Sequence, residues 1–430
     1  MTYHHHFNSK RLSQELELKA TDCVRHLSGW RPAVEEIKTW PEYKPQPLRD
    51  LKNTANSMNV HSLFVKDESQ RFGVKLASFK ALGAPYAVYK ILSDKVFQQT
   101  GLRPSSAELR SGKYRDITQY VTVCVATDGN QGRGLAYGAK IFGCRCVDYI
   151  HNCVSDGRKQ AMEELGAVVI RVDGEYEASV ARAKEDARMN GWHFVSSTSW
   201  ADFDDGTPQD VMNAYMVIVE EALSMIPAVD KITHVLICGG VGSIAAAVFL
   251  GFYTRFQEFK ILNKDKDTSV PRFVVIEPEE ADCLFQSARH GDMIPSDGTL
   301  HTLMAGLACR APSPAAWKIL SWLSSDFMAV SDSAAVEGMK ELATGASGDI
   351  PVVCGESSAA GMGVMMESCR DFVLREKLGL DSKSQILIFG LEGATDPEIY
   401  YKLVGKKPED VFAAQTAFNA TSSERPSEED

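Results

Sequence analysis

The chain has 430 residues, of which 44% are hydrophobic, 24% charged and 9% aromatic, a profile of a globular protein long enough for two or three domains. That excludes collagenous, disordered and disulfide-stapled miniature classes, and the 46 basic against 57 acidic side chains leave a formal charge of -11, which attracts neither nucleic acid nor an anionic membrane. No apolar run approaches the roughly 20 residues of a membrane span and the opening MTYHHHFNSK is not signal-like, so a soluble cytoplasmic protein is expected.

In chain order, His4, His5 and His6 read as part of a solvated tail without function. From about residue 61, apolar strand-like runs alternate with amphipathic stretches. The best strands are TVCVA (122 to 126), CRCVDYI (144 to 150), AVVIRV (167 to 172), WHFVS (192 to 196), THVLIC (233 to 238), RFVVIE (272 to 277) and QILIFG (385 to 390). Helix-length segments such as GRKQAMEELG and EASVARAKEDARMNG lie between most of them, which predicts parallel strands with crossover helices and an α/β fold. The close, even spacing of the strands between about 115 and 200 predicts a small domain, 111 to 205, inserted into a discontinuous larger one, 1 to 110 and 206 to 414, with a ligand cleft between them. From 415 to 430 the chain is polar and acidic, ending SSERPSEED, and disorder is expected. The ten cysteines are spread out. Cys124, Cys144, Cys146 and Cys238 sit inside apolar runs as small buried hydrophobes, and Cys144-x-Cys146 followed by Cys153 lacks the paired CxxC that would complete a zinc site.

Three stretches carry chemistry. Lys80 stands beside Phe79 and Leu82 at the start of a predicted helix, where desolvation and the helix dipole both lower a lysine pKa toward the neutral amine that imine formation requires. An ordinary surface lysine is the plain alternative. ATDGNQGRG (126 to 134) follows a strand and precedes a helix, which puts Asp128 and Asn130 at the carboxyl edge of a parallel sheet facing a ligand; an Asp that merely caps the next helix is equally consistent. Cys238-Gly-Gly-Val-Gly-Ser243 again leads from strand through glycines into a helix, a cradle for phosphate. Gly240-x-Gly242-x-x-Ala245 also fits the dinucleotide fingerprint of an NAD(P)-dependent oxidoreductase, with Glu277 ending the next strong strand at a longer interval than the fingerprint's roughly 20 residues.

Taken together, SFKALGA around Lys80, the Asp-Gly-Asn loop and the glycine cradle resemble the type II pyridoxal-phosphate enzymes, which share the fold of tryptophan synthase β and threonine dehydratase. Within that class KDESQRFG, ATDGNQGRG, GGVGS, EPEEADC, MAGLACRAPSP, CGESSAAG and LEGATDP, in that order from about residue 45 to 405, resemble the diaminopropionate ammonia-lyases. The resemblance implies a homodimer using pyridoxal 5'-phosphate, no metal, and a small amino acid as substrate. Lys80 would hold the cofactor as a Schiff base. Phe79, Asn130, Gly239, Gly240, Val241, Gly242, Ser243, Glu356 and Thr395 would bind it, with Asn130 at the ring hydroxyl, 239 to 243 at the phosphate and Thr395 at the pyridine nitrogen. Asp128 matches the general base, and its charge also suits a substrate with a second ammonium. The implied reaction removes the β-amino group of 2,3-diaminopropionate to give pyruvate and ammonia. A related β-elimination or β-replacement on another β-substituted amino acid, as in serine and threonine dehydratases, would use the same cofactor, lysine and cradle.

The sequence departs from this pattern in places that bear on mechanism. Where the family has a second aspartate, at the substrate-binding position ahead of Trp200, this chain has Ser197, which is no base at neutral pH. Loss of one stereochemical face is expected, with the D-isomer served by Asp128 retained unless Asp202, Asp204 or Asp205 takes over. Gln131 replaces the usual His after the loop Asn, and His151, Asn152 and Cys153 replace a Pro-Lys-Gly segment. Cys283 and Cys309 match positions that form a disulfide in the family, although a reducing cytosol argues for thiols.

Overall fold

The computed structural model describes residues 1–11, 30–196, 198, 206–263 and 269–423. Two sheets organise the chain. A seven-stranded sheet runs in the order β1-β10-β9-β8-β11-β3-β2, with β1 Tyr3–Phe7, β2 Leu48–Asp50, β3 Ser62–Asp67, β8 His234–Cys238, β9 Arg272–Pro278, β10 Asp326–Val330 and β11 Gln385–Gly390. Its five inner strands are parallel and the two edge strands antiparallel. A four-stranded parallel sheet, β6-β5-β4-β7, is built from β4 Thr122–Ala126, β5 Arg145–His151, β6 Val168–Val172 and β7 His193–Phe194.

The inner strands are uninterrupted apolar runs because both faces of the larger sheet are covered. Along β9, Phe273 and Val275 enter one core while Val274 and Ile276 enter the other, and Leu387 and Phe389 alternate with Ile386 and Ile388 along β11 in the same way. The helix Lys80–Thr100 that follows β3 lies flat against the helix Asn130–Phe142 that follows β4, joining the two sheets. Two glycines permit that approach: a Cβ at Gly134 would sit 2.8 Å from the Lys80 carbonyl oxygen, and one at Gly138 2.7 Å from Cα of Pro85. Among the described residues no helix is long and apolar enough to cross a membrane.

Two terminal expectations are corrected. The histidines of the N-terminal arm are not a solvated tail: they form β1, the edge strand antiparallel to β10, and His5 Nε2 lies 2.8 Å from Asp326 Oδ1. The C-terminal stretch from 415 is not disordered at its start, because the helix Pro408–Ser423 continues through it with Gln415 buried. Residues 424–430 of that stretch lie outside the described residues.

Candidate active site

Both strand-to-helix loops singled out in the sequence open on one cleft, lined among others by Phe79, Lys80, Asp128, Asn130, Gly239 to Val241, Ser243 and Cys309. Strand register explains the first loop. Ala126 on β4 pairs with Tyr149 on β5, so Asp128, two residues further on, comes opposite His151, and Asp128 Oδ1 lies 2.7 Å from His151 Nε2. Asp128 is not the helix cap. Thr127 takes that role, its Oγ1 accepting from the amides of Gly129 at 2.9 Å and Gly132 at 3.0 Å, while Gly129 turns the chain at φ +145°. The glycines of GNQGRG therefore serve packing as much as access: a Cβ at Gly132 would meet Met162 Sδ at 2.5 Å.

Lys80 opens its helix, half-buried in the cleft wall, with Nζ 5.3 Å from the Phe79 ring centroid and no hydrogen bond to the described residues. Burial pushes its pKa down, against the opposing pull of Cys309, Asp128 and Glu392. Phe79 packs on Tyr215 with centroids 4.9 Å apart. Asn130 donates through Nδ2 to Glu392 Oε2, and its Oδ1 accepts from Arg133 Nη2 at 2.6 Å; Arg133 Nη1 in turn donates to the Thr395 carbonyl at 3.1 Å. Glu392 Oε1 also accepts the Ser357 amide at 2.9 Å.

The second loop offers backbone rather than side chains. Gly240 and Gly242 sit at φ +58° and +95°, and at the mouth of the helix Ser243–Asn263 the Gly240 amide donates to nothing among the described residues while the Val241 amide faces the Cys309 thiol, a weak acceptor. A bare amide and a weakly engaged one at a helix N-terminus suit an anion. Glu277 does not serve a ribose as the dinucleotide reading needs: it is fully buried, and its two oxygens accept the amides of Leu284 at 3.0 Å and Phe285 at 2.7 Å. The oxidoreductase alternative loses its acidic residue to helix packing.

Glu356 and Thr395 do not line the cleft. Glu356 is bound to Arg158, Oε1 to Nη2 at 2.7 Å, and Arg158 Nη1 donates to the Asp128 carbonyl at 3.1 Å. Cys283 and Cys309 are free thiols, and burial pushes Cys309 up to about 12. Ser197, Asp202, Asp204 and Asp205 lie outside the described residues. Sequence reasoning passed over Glu392, Arg133, Arg158, Tyr176 and Tyr215. Glu392 and Arg133 were within reach, since they stand in LEGATDP and ATDGNQGRG, whereas Arg158 carries no local signal and becomes visible only once helices are packed.

Fold and cleft together set a lysine amine and a glycine turn suited to an anion in one ligand-sized opening between two sheets. The chain belongs to the family of pyridoxal-phosphate dependent enzymes, whose description matches residues 39–389. It is 33% identical over 376 residues to the diaminopropionate ammonia-lyase of Salmonella typhimurium, across 85% of this chain and 89% of that one. The holo crystal structure of the Escherichia coli diaminopropionate ammonia-lyase superposes with a TM-score of 0.80 at 28% identity, covering 94% of this chain and 97% of that one. The same enzyme in complex with D-serine superposes at 0.79 and 29%, with the same coverage.

Pyridoxal phosphate is thus the cofactor, and the residues present fit it. The glycine turn suits its phosphate, and on the cleft wall the Tyr215 hydroxyl and both polar atoms of the Gln131 amide are buried without a hydrogen-bond partner. Unpaired buried polar groups are costly, so such a set around one cleft is what a polar ligand would satisfy.

Proposed function

We propose that the protein is a 2,3-diaminopropionate ammonia-lyase, releasing pyruvate and two molecules of ammonia from each substrate and favouring the D-isomer. The observation that carries the reading is the half-buried Lys80, its pKa lowered, in one cleft with Asp128 and the glycine turn whose Gly240 amide is bare among the described residues. Pyridoxal phosphate, when bound, supplies the electron sink that acidifies the substrate Cα and lets the β-substituent leave. Lys80 would attach it, because burial favours the neutral amine. Gly239 to Ser243 would hold the phosphate, Phe79 and Asn130 the ring, and Thr395 Oγ1 the ring nitrogen; Glu356 would act through Arg158. A hydroxyl beside that nitrogen, unlike a carboxylate, does not keep it protonated, which favours elimination over longer-lived carbanion chemistry. Asp128 would take the Cα proton, and its charge attracts a substrate with a second ammonium. A serine at 197 leaves the opposite face of Cα without a base, hence the D-preference. A homodimer acting in the cytosol completes the reading, two-fold dimers being the commonest enzyme assembly.

The test is pyruvate and ammonia release by cofactor-loaded protein from D- and L-2,3-diaminopropionate, with D- and L-serine and threonine alongside. Fast release from D-diaminopropionate, with visible cofactor absorbance abolished by Lys80→Ala, is expected. Absence of pyruvate from either diaminopropionate isomer overturns the substrate, and equal rates from the two isomers overturn the D-preference.

A further inference from the structure

The contact between Asp128 and His151 assigns a task to a residue outside the cofactor machinery. His151 ends β5, and the ring is constrained on three sides. Nε2 meets Asp128 Oδ1 at 2.7 Å, the Cys153 amide approaches Nδ1 at 3.4 Å, and Tyr176 packs edge-on at 87° with centroids 6.4 Å apart. An amide can only donate, so Nδ1 is the acceptor of the neutral ring and Nε2 carries the proton. Nε2–H therefore donates to Oδ1 of Asp128. Asp128 Oδ2 makes no hydrogen bond with the described residues. One oxygen is tethered and the other is left for the cleft. The tether is short and fixed at both ends by strand register, since Asp128 and His151 follow the Ala126 and Tyr149 pair by two residues each.

We infer that His151 is the positioning residue of Asp128: its Nε2–H fixes the orientation of the carboxylate and leaves the second oxygen aimed at the cleft. The inference rests on Asp128 acting as the base. A base misplaced by about 1 Å loses on the order of a hundredfold in rate, which is the scale of what one such tether can protect. The other charged or titratable groups around the pair are Lys80, Tyr176, Cys309, Arg158, which donates to the Asp128 carbonyl, and Arg171, which donates to the His151 carbonyl at 3.3 Å. None of their side chains makes a hydrogen bond with the Asp128 carboxylate, so His151 is its tether among the described residues.

Two measurements test it. The first needs neither cofactor nor turnover: the His151 ring nitrogens and the Nε2–H proton are observed by NMR in the full-length protein and in Asp128→Ala. A carboxylate acceptor holds the Nε2–H tautomer and slows exchange of its proton with water, so the parent is expected to show a protected Nε2–H signal that the variant loses. The second is steady-state kinetics of His151→Leu and His151→Gln with D-2,3-diaminopropionate. The leucine variant is expected to lose roughly tenfold to a hundredfold in kcat with KM nearly unchanged. His151→Gln keeps an N–H donor and is expected to recover most of kcat. An Nε2–H signal that is the same in parent and variant, or a leucine variant with the kcat of the parent, overturns the inference. Absence of turnover in the parent enzyme would instead overturn the proposed reaction, and the Nε2–H signal alone then decides whether the pair exists.

Discussion

The Lys66, Glu68, Arg71 and Glu221 side chains and the group built around Asp128, Arg158, Glu356 and Glu392 are both inward-facing ionic networks, yet they are finished to different degrees. In the first, Lys66 Nζ reaches Glu68 at 2.6 Å and Glu221 at 2.8 Å, Arg71 reaches the same two carboxylates at 2.7 Å, and Tyr43 donates to Glu221 at 2.9 Å. Two cations face two anions, and no side chain of the four is more than 3% exposed. In the second, Asp128 is 26% exposed, Nζ of Lys80 has no hydrogen bond with the described residues, and Gln131 and Thr395 carry polar atoms with no partner. A closed network has nothing left to bind with and fixes β3 against the helix Gly206–Met225; an open one keeps spare donors and acceptors for a ligand. Lys66, Glu68 and Arg71 stand in KDESQRFG as Asp128 stands in ATDGNQGRG, so motif membership alone does not separate structural charges from working ones.

The largest expected effect breaks the closed network. Glu221→Gln leaves Lys66 and Arg71 to share one carboxylate, and breaking a buried pair costs about 3–5 kcal/mol. Denaturant unfolding should show it as a lower midpoint at unchanged slope, while the visible spectrum of the folded, cofactor-loaded variant stays that of the parent. A variant that keeps its stability and loses its spectrum would reverse the assignment of the two networks.

The pH dependence of stability sharpens the contrast, because the two networks respond with opposite sign. Burial alone would raise Glu221, but Arg71 and Lys66 outweigh it and hold the carboxyl down at about 2. A depressed pKa gives stability that is full above the ordinary carboxylate value of about 4.3 and is lost as pH falls from there toward 2. Glu356 is the reverse: burial first, then Glu392, push it up to about 7 against the pull of Arg158. Its contribution is full below about 4.3 and is lost as pH rises through about 7. Glu356→Gln is expected to cost about 1–3 kcal/mol at low pH, the scale of one disturbed buried hydrogen bond. Unfolding of the parent and each variant from pH 3 to 8 checks this. The gap to Glu221→Gln should close on acidification, and the gap to Glu356→Gln should close as pH rises; parallel curves would contradict it.

The same contrast explains what was legible in the sequence. Strand runs such as TVCVA and QILIFG are continuous because both faces of their strands are covered, and that pattern is local enough to read. Lys80, Asp128 and the glycine turn were legible too, since each sits at a strand-to-helix junction. The strand at Tyr3–Phe7 was not, because three histidines have no alternation to follow and what stabilises them, β10 with Asp326, lies more than 300 residues away. Arg158 and Glu356 form their pair across 198 positions, and Thr127 displaced Asp128 as the cap through a hydroxyl that no pattern rule weighs against a carboxylate. Contacts fixed by packing between distant elements leave no periodic trace.

The smallest effect tests the spare capacity itself. Thr395→Val keeps the shape of the side chain and deletes a hydroxyl that is buried and unpartnered without cofactor. Removing a polar group that makes no hydrogen bond releases its desolvation cost, so the cofactor-free protein should be unchanged or gain up to about 1 kcal/mol. If Oγ1 meets the ring nitrogen, the loaded protein instead loses one hydrogen bond worth about 1 kcal/mol, which is roughly fivefold in the cofactor dissociation constant. The two forms must then move apart: the melting temperature with cofactor falls relative to the parent while that without cofactor holds or rises. Equal destabilisation of both forms would mean the hydroxyl serves the fold, and the open network would have one donor fewer to offer.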